Sequence, residues 1–356
     1  MLTQKMQVEE YFISFGDLFP ELNKTVDALK PGHVFVFVDE NTKKYCLPFF
    51  KRNADFNFSL ISVDSGEENK NIATCSDLWQ ELLKNGCDRK SLVINLSGGV
   101  LSDMGGFVAS TFMRGIPFIN IPTTLLSMVD ASVGGKTGVD FHNIKNIIGV
   151  FSNPLAVFVD PRFLKTLDKE NLLSGFAEML KHGVIADKFY LETLLKINHV
   201  FSLSLDEWRK HIYTSIKIKR AVIIADPSEK GVRKILNFGH TVGHAIETVS
   251  INKGVALSHG HAMALGMIAE LYLSSQYFNY NKSLFSPFRD RVLSLYPKQK
   301  LLQLAKHDIL ELMLYDKKNE SGEMRFVLIK QFGEADYNIN IDNQKVAEAL
   351  DYLFEI

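Results

Sequence analysis

The sequence predicts an α/β domain followed by an all-α domain. Between residues 34 and 159, short apolar segments alternate with segments whose apolar residues have helical spacing. From about residue 171 onward, apolar residues recur mainly at intervals of three and four. The pattern changes between residues 165 and 172, so we expect the domains to span residues 1–170 and 171–356.

The apolar segments of the first half are predicted to be strands. They cover residues 34–38, 59–63, 92–96, 116–121 and 156–159. Helices predicted over 71–85 and 100–113 separate some of them. Strands that alternate with helices form a mostly parallel sheet with crossover helices.

The second half is predicted to be helical, with one exception. Its helical segments are 172–196, 208–225, 235–249 and 262–277, whereas 324–329 has the composition of a short strand.

Composition excludes several classes of protein. Lys and Arg number 40 against 41 Asp and Glu in 356 residues, so bulk charge does not favour nucleic-acid binding. The apolar runs are much shorter than the ~20 residues of a membrane span, and the first residues do not resemble a signal peptide. Three scattered cysteines are typical of a reducing cytoplasm and do not form a zinc motif.

A glycine pair follows the predicted strand 92–96. Gly98 and Gly99 come between this strand and a helix, where backbone N–H groups can bind a phosphate. A tight turn without a ligand explains the pair equally well. Asp39 ends an earlier strand and has the chemistry to bind a ribose diol, but its place before the glycines departs from the usual dinucleotide-binding order. A simple polar residue at the end of a strand is the alternative for Asp39.

The segment Gly134-Gly135-Lys136-Thr137 is not a P-loop. That motif requires glycine at position 130, where this chain has Asp130. Lys136 can still bind an anion, and Lys145-Asn146 follows in a predicted polar loop. Solvated lysines in a loop are the alternative.

Four histidines between residues 240 and 261 are the strongest local signal. His240 and His244 share a helix face, and His259 and His261 begin another helix. Glu178 and Lys181 are three apart on an otherwise apolar helix. One carboxylate with two imidazoles and open positions would form a catalytic zinc site, whereas packed core histidines are the alternative.

The chain resembles the 3-dehydroquinate synthase family of the sugar phosphate cyclase superfamily. The resemblance is carried by SGGVLSDMGGFVASTFMRG, IPTTLLSMVDASVGGKTGVD, KNIIGVF, SGFAEMLKHG, DPSEKGVRKILNFGHTVGHAIE and DKKN. It implies an α/β N-terminal nucleotide-binding domain and an all-α C-terminal metal-binding domain in a cytoplasmic homodimer. It also implies the cofactors NAD and Zn²⁺, with Co²⁺ as an alternative.

The reaction implied is conversion of 3-deoxy-D-arabino-heptulosonate 7-phosphate into 3-dehydroquinate and phosphate. This lyase reaction belongs to the shikimate pathway of chorismate and aromatic amino acid biosynthesis. It proceeds by oxidation, elimination, reduction and cyclisation. The implied partner is therefore a small sugar phosphate, and neither nucleic acid nor a membrane.

The resemblance also assigns roles to residues. The metal ligands are Glu178, His240 and His259. NAD contacts are assigned to Asp39, Asn41, Glu67, Lys70, Gly98, Gly99, Val100, Asp103, Thr123, Thr124, Lys136, Lys145, Thr166 and Leu167. Catalytic contacts with the substrate are assigned to Asp130, Lys136, Asn146, Lys181 and His244. Further substrate contacts are assigned to Lys145, Lys219, Arg233, Asn237 and either Lys317 or Lys318, with Arg114 reaching the phosphate site of the partner subunit.

At two positions the sequence departs from the usual residues of the family, so other functions remain as alternatives. Ser97 stands where the family often has a third glycine, and His261 stands where it commonly has glutamate. A cyclase acting on another heptulose phosphate is the first alternative, although Lys219 and Arg233 favour a substrate with a carboxylate. A metal-dependent polyol dehydrogenase and a catalytically inactive NAD-binding regulator are the others.

Overall fold

The computed structural model describes residues 4–142, 144–255, 257–278, 280–315 and 324–356. These residues form two compact units. One contains the chain up to Asp168 together with Ser204–Ile216, and the other contains Lys169–Leu203 together with Lys217–Ile356.

The first unit is built on a seven-stranded sheet. Its strands are β1 (Gln4–Val8), β2 (Tyr11–Phe15), β3 (Val34–Val38), β4 (Ser59–Ser62), β5 (Leu92–Ser97), β6 (Phe118–Pro122) and β9 (Ala156–Val159). They lie in the order β1-β2-β9-β6-β5-β3-β4, and all neighbouring pairs are parallel except β1 with β2. The predicted mostly parallel sheet is therefore confirmed.

Continuous apolar runs form the centre of this sheet because both of its faces are covered. All five residues of β3, with the sequence VFVFV, are buried. Phe35 and Phe37 belong to a core cluster that also contains Leu82 and Val108 from two helices. The helices of this unit are α1 (Phe19–Leu29), α2 (Glu40–Tyr45), α3 (Leu47–Asn53), α4 (Ile72–Lys84) and α5 (Gly99–Thr111).

The polar loop predicted around Lys145-Asn146 is wrong. This part of the chain is an antiparallel hairpin of β7 (Lys136–Phe141) and β8 (Ile144–Phe151). Most of β8 is exposed, including Ile147 at 57%. Because neither face of β8 is continuously buried, its sequence lacks the alternation by which a half-buried strand is predicted.

The second unit is mostly helical. Its helices are α6 (Lys169–Ala186), α7 (Lys188–Leu195), α9 (His240–Asn252), α10 (His259–Tyr277), α11 (Phe285–Leu295), α12 (Lys306–Tyr315) and α13 (Asn343–Glu355). Between them, α8 (Leu205–Ala225) divides at residue 216, its earlier part grouping with the first unit. The strand predicted at 324–329 is confirmed as β10 (Met324–Gln331), and it pairs with an unpredicted strand, β11 (Glu334–Ile341). The prediction of an all-α domain therefore needs this hairpin added.

Two predicted helices differ from those observed. The segment 172–196 is broken because the side chain of Asp187 accepts a hydrogen bond from Tyr190 N at 2.9 Å and begins α7. The segment 235–249 becomes a 3₁₀ turn, Val232–Asn237, followed by α9. Gly239 separates them with φ +80°, a conformation that few other residues adopt.

Among the described helices, none combines the length and apolar composition that crossing a bilayer requires. The apolar helix α10 is buried on almost every side within the second unit. A helix that is apolar all round is typical of the centre of a helical domain.

Candidate functional site

The first group of predicted site residues lies at the carboxyl edge of the parallel sheet. The neighbouring strands β3, β5 and β6 are followed by Asp39, Gly98 and Thr123. Ligands of open α/β sheets bind outside the carboxyl ends of the strands. Asp39 also has a local role, since its Oδ1 accepts a hydrogen bond from Thr42 N at 2.7 Å and caps α2.

The glycine pair begins α5. Gly98 is the N-cap of this 13-residue helix and gives it no side-chain hydrogen bond. A Cβ atom on Gly98 would lie 3.1 Å from Cγ2 of Thr124, so a larger side chain would crowd the turn. The first amides of α5 therefore face an edge where a phosphate can approach the backbone.

A buried lysine connects several predicted NAD and substrate residues. Lys70 is 3% exposed and donates hydrogen bonds to Asp103 Oδ2 at 2.8 Å and Asn146 Oδ1 at 2.6 Å. Burial acts to lower the pKa of Lys70, but Asp103, Glu67 and Asp140 together raise it above its usual value. The amide of Asn146 is thus held by a charged partner, with its backbone at φ +53°.

The other predicted residues of the first unit are spread over several elements. Lys145 Nζ lies 3.9 Å from Glu67 Oε1, and Thr124 Oγ1 lies 3.1 Å from Ser127 Oγ. Arg114 is exposed and, like Met113 before it, has a positive φ, which is strained for residues other than glycine. The remaining residues are Asn41, which is exposed, Val100 in α5, Asp130 in the short π-helical turn Ser127–Ala131, Lys136 at the start of β7, and Thr166 and Leu167 at the end of a 3₁₀ turn.

The second unit brings together the predicted metal ligands. Glu178 comes from α6, while His240 and His259 are the first residues of α9 and α10. Their potential ligand atoms all lie within 4.8 Å of one another. The imidazole rings of His240 and His259 are 5.8 Å apart between centroids. Three side chains distant in sequence therefore converge, and they are the three that the family resemblance assigns as metal ligands.

The charge of Glu178 explains why a cation fits this cluster. Its side chain is 1% exposed, and Oε2 forms an ion pair with the equally buried Lys181. Oε1 accepts no hydrogen bond from any described residue and lies 3.9 Å from His240 Nε2. A buried carboxylate oxygen without a donor is unfavourable unless a cation binds it.

The contacts of His240 direct Nε2 of its ring towards Glu178. Its Nδ1 lies 3.1 Å from the carbonyl oxygen of Phe238, so Nδ1–H can donate and Nε2 faces Glu178. Burial, together with the positive charge of Lys181 and the neighbouring imidazoles, lowers the pKa of His240 well below its usual range. The ring is therefore neutral, which is the form that binds a metal.

A second group of potential metal ligands shares His259 with the first group. His244, Glu247 and His259 also place potential ligand atoms within 4.8 Å of one another. The ring of His244 lies 5.1 Å from that of His240. His259 belongs to both groups, so the geometry offers a second set of donors beside the predicted one.

Sequence reasoning missed two buried glutamates. Glu247 Oε2 lies 3.4 Å from His259 Nδ1. Glu270 accepts hydrogen bonds from Gly239 N at 2.6 Å and Thr241 N at 3.1 Å, and these bonds cap α9. Burial raises the pKa of Glu270 to about 8. Each glutamate is the only acidic residue of its helix, and this was the available signal for both.

The predicted carboxylate-binding residues are also buried. Arg233 is 2% exposed and donates from Nη1 to the carbonyl oxygen of Pro227 at 2.6 Å. Asn237 Nδ2 donates to Glu229 Oε1 at 3.1 Å, and Lys219 is buried on α8. Lys317 and Lys318 lie outside the described residues.

His261, the departure from the family pattern, points elsewhere. Its Nε2 lies 3.0 Å from the carbonyl oxygen of Pro297, and it belongs to neither group of potential ligands among the described residues. Residues two apart on a helix face different directions, which explains why His259 and His261 separate.

Comparison with known sequences decides the family. The profile described as 3-dehydroquinate synthase N-terminal matches residues 60–174, and the profile described as 3-dehydroquinate synthase C-terminal matches residues 175–319. The chain belongs to the 3-dehydroquinate synthase family. A 3-dehydroquinate synthase of Parabacteroides distasonis is 39% identical over 98% of each chain. One from Clostridium tetani is 40% identical over 83% of this chain and 79% of the relative.

Solved structures support the fold of the 3-dehydroquinate synthase family for this chain. A 2-deoxy-scyllo-inosose synthase complexed with carbaglucose-6-phosphate, NAD⁺ and Co²⁺ has a TM-score of 0.86 at 22% identity, over 99% of both chains. A 2-epi-5-epi-valiolone synthase from Streptomyces hygroscopicus with NAD⁺ and Zn²⁺ bound has a TM-score of 0.84 at 23% identity, over 100% of this chain and 99% of that chain. The predicted fold class is therefore confirmed.

Substitution of the two histidines that begin α10 tests the ligand assignment. We expect His261→Glu to retain bound zinc, because His261 is directed to Pro297, whereas His259→Glu loses it. Zinc content after gel filtration, with His307→Glu on the exposed face of α12 as the control, measures both effects. Loss of zinc from the His261 variant while His259→Glu stays loaded would show that the wrong histidine has been assigned.

Proposed function

We propose that this chain catalyses the conversion of 3-deoxy-D-arabino-heptulosonate 7-phosphate into 3-dehydroquinate and phosphate. The convergence of Glu178, His240 and His259 within 4.8 Å carries this proposal, because a carboxylate and two imidazoles are the donors of a catalytic zinc site. The long matches to 3-dehydroquinate synthases support the same reaction.

We propose NAD and a divalent metal, Zn²⁺ or Co²⁺, as cofactors. When bound, NAD accepts a hydride and later returns it, and the metal polarises a substrate hydroxyl as a Lewis acid. Because the hydride is returned, substrate and products have the same overall oxidation state. The reaction is a lyase reaction, in which elimination of phosphate breaks a carbon–oxygen bond, and it yields no net NADH.

The second unit would hold the metal and part of the substrate. Glu178, His240 and His259 would bind the metal, with further positions left open. Lys181 pairs with Glu178, which holds its ammonium group beside the proposed metal ligands, where it would donate a hydrogen bond to a substrate oxygen. His244, beside His240, would hold the substrate phosphate or donate a proton to it.

The first unit would bind the dinucleotide at the carboxyl edge of its sheet. The amides that follow Gly98 would hold the pyrophosphate, and Asp39 would accept hydrogen bonds from a ribose. Lys70 keeps Asn146 and Asp103 in fixed positions through its two hydrogen bonds. We propose that this network orders the predicted NAD and substrate residues around it.

Charged groups suit a substrate with two anionic ends. Lys136 and the amide of Asn146, with Arg114 contributed by a partner subunit, would balance the phosphate dianion. Lys219 and Arg233 would bind the carboxylate, since a guanidinium can donate to both carboxylate oxygens. A cyclase acting on another heptulose phosphate is the second candidate, and retention of these two cations argues against it.

We further propose that the protein is a cytoplasmic homodimer. Within each chain, we place the boundary between the NAD-binding domain and the metal-binding domain near residue 170. Several exposed apolar side chains on β8, including Ile144, Ile147 and Phe151, support association with a second copy. The described cysteines are all unpaired and buried, which is compatible with a reducing compartment.

An assay of the complete reaction tests the proposal. Protein with zinc, catalytic NAD and the heptulosonate phosphate should release phosphate and 3-dehydroquinate in equal amounts without accumulating NADH. Removal of the metal by a chelator should abolish turnover while NAD binding largely survives, because the proposed metal and NAD residues belong to different units. Full turnover after complete metal removal, or steady NADH production, would contradict the proposal.

Arg233→Ala tests recognition of the carboxylate. We expect binding of a substrate analogue to weaken by ~1.5–3 kcal/mol, the cost of losing a charge-assisted contact, while NAD binding is unchanged. Calorimetric titration with analogues that have or lack the carboxylate measures the effect, and Arg220→Ala on α8 is the control. A variant that keeps its full preference for the carboxylate would assign another role to Arg233.

A further inference from the structure

A buried carboxylate that no predicted role includes touches one of the metal ligands. Glu247 is on α9 and is 5% exposed, and its Oε2 lies 3.4 Å from Nδ1 of His259. His259 is the first residue of α10. The contact therefore joins two helices at the ring that supplies a ligand to the metal cluster.

The two helices are packed so closely that this contact has little freedom. A Cβ atom on Gly266 of α10 would lie 2.2 Å from the carbonyl oxygen of Gly239, and one on Gly243 would lie 2.9 Å from Met263 Sδ. With Glu247 beside His259, these pairings run in opposite directions along the two helices, so α9 and α10 are antiparallel. Contacts as close as these fix the separation and register of a helix pair.

Each helix gives a buried glutamate to the beginning of the other. Glu247 of α9 contacts the first residue of α10, and Glu270 of α10 accepts hydrogen bonds from Gly239 N and Thr241 N at the start of α9. Only the first contact involves a ligand side chain. Glu270 binds backbone amides, so the two carboxylates can be compared as a ligand-directed and a purely structural contact.

The direction of the hydrogen bond determines which nitrogen of His259 can bind a metal. With Glu247 ionised, Nδ1 carries the proton and donates it, so Nε2 presents its lone pair. His240 has the same arrangement, with Nδ1 beside the carbonyl oxygen of Phe238. Partners of this kind fix the ring and the tautomer of metal-binding histidines.

We propose that Glu247 is a positioning residue of the metal site, which holds His259 so that Nε2 faces the metal bound by Glu178 and His240. The inference rests on the proposed function, since it requires that metal. Glu247 also belongs to the second group of potential ligands with His244 and His259. The charge distribution favours positioning, because Glu247 already faces an imidazole nitrogen whereas Glu178 Oε1 accepts no hydrogen bond from the described residues.

The test compares wild-type protein with E247Q, E247A and the matched control E270Q. Zinc affinity is measured by competition with a chromophoric chelator, and the geometry of the site by the visible absorption of the Co²⁺-loaded protein. Thermal unfolding of the metal-free proteins separates loss of fold from loss of the site. H244A, E178Q and H259A identify the ligand set.

We expect one zinc per chain in E247Q, bound about 10–100-fold more weakly than in wild-type protein, as is typical when such a partner is removed. E247A should bind zinc more weakly still, because glutamine keeps an oxygen that can accept from Nδ1–H. The Co²⁺ spectrum should change in both variants. E270Q should lower the unfolding temperature, while its zinc affinity and Co²⁺ spectrum change less than those of E247Q, because Glu270 binds backbone amides and no ligand side chain.

Several results would overturn the inference. Equal loss of zinc affinity in E247Q and E270Q would reduce Glu247 to a stabilising contact between helices. Loss of zinc from H244A with retention in E178Q would make Glu247 a ligand instead. Unchanged affinity and spectrum in E247Q, with zinc lost from E178Q and H259A, would overturn this inference alone. Wild-type protein that binds no zinc would overturn the proposed metal site as well.

Discussion

The close antiparallel packing of α9 against α10 is the constraint on which the second unit depends. Both histidines of the predicted metal cluster are the first residues of these helices, so their positions follow from how the helix ends meet. Gly239 and Gly266 permit the backbones to touch, and Glu270 satisfies amides of α9 that would otherwise be buried without acceptors. Without this packing, His240 and His259 would not share a site.

Buried charge connects the packing to the chemistry. Burial of Glu178 beside Lys181 places a carboxylate where water cannot solvate it, and the neighbouring imidazole of His240 is kept neutral by the same burial. Such a cluster is unfavourable when empty and favourable around a cation. In the first unit, the buried charge is positive. The ammonium group of Lys70 holds Asp103 and Asn146 in place through hydrogen bonds.

Much of the fold could be predicted where local sequence and burial agree. Val34–Val38 was predictable because a continuously apolar segment suits a strand covered on both faces. The hairpin β7–β8 was not, because the apolar residues of β8, such as Ile147, are largely exposed and give no alternating pattern. The start of α9 was misplaced because Gly239 interrupts a periodic apolar segment with a backbone turn that periodicity cannot detect.

The site was predictable only in part, because some of its contacts lie within one helix and others lie between helices that are distant in sequence. His240 and His244 are four apart on one helix, so their proximity is visible in sequence, and the family resemblance added Glu178 and His259. The roles of Glu247 and Glu270 depend on which helix lies beside them, and sequence spacing does not contain that information.

Anomalous X-ray scattering at the zinc edge, from crystals of the zinc-loaded protein, tests the proposed metal site most directly. We expect one metal peak bonded to Glu178, His240 and His259. A peak bonded to His244 and Glu247, or no peak in this cluster, would contradict the proposed metal site.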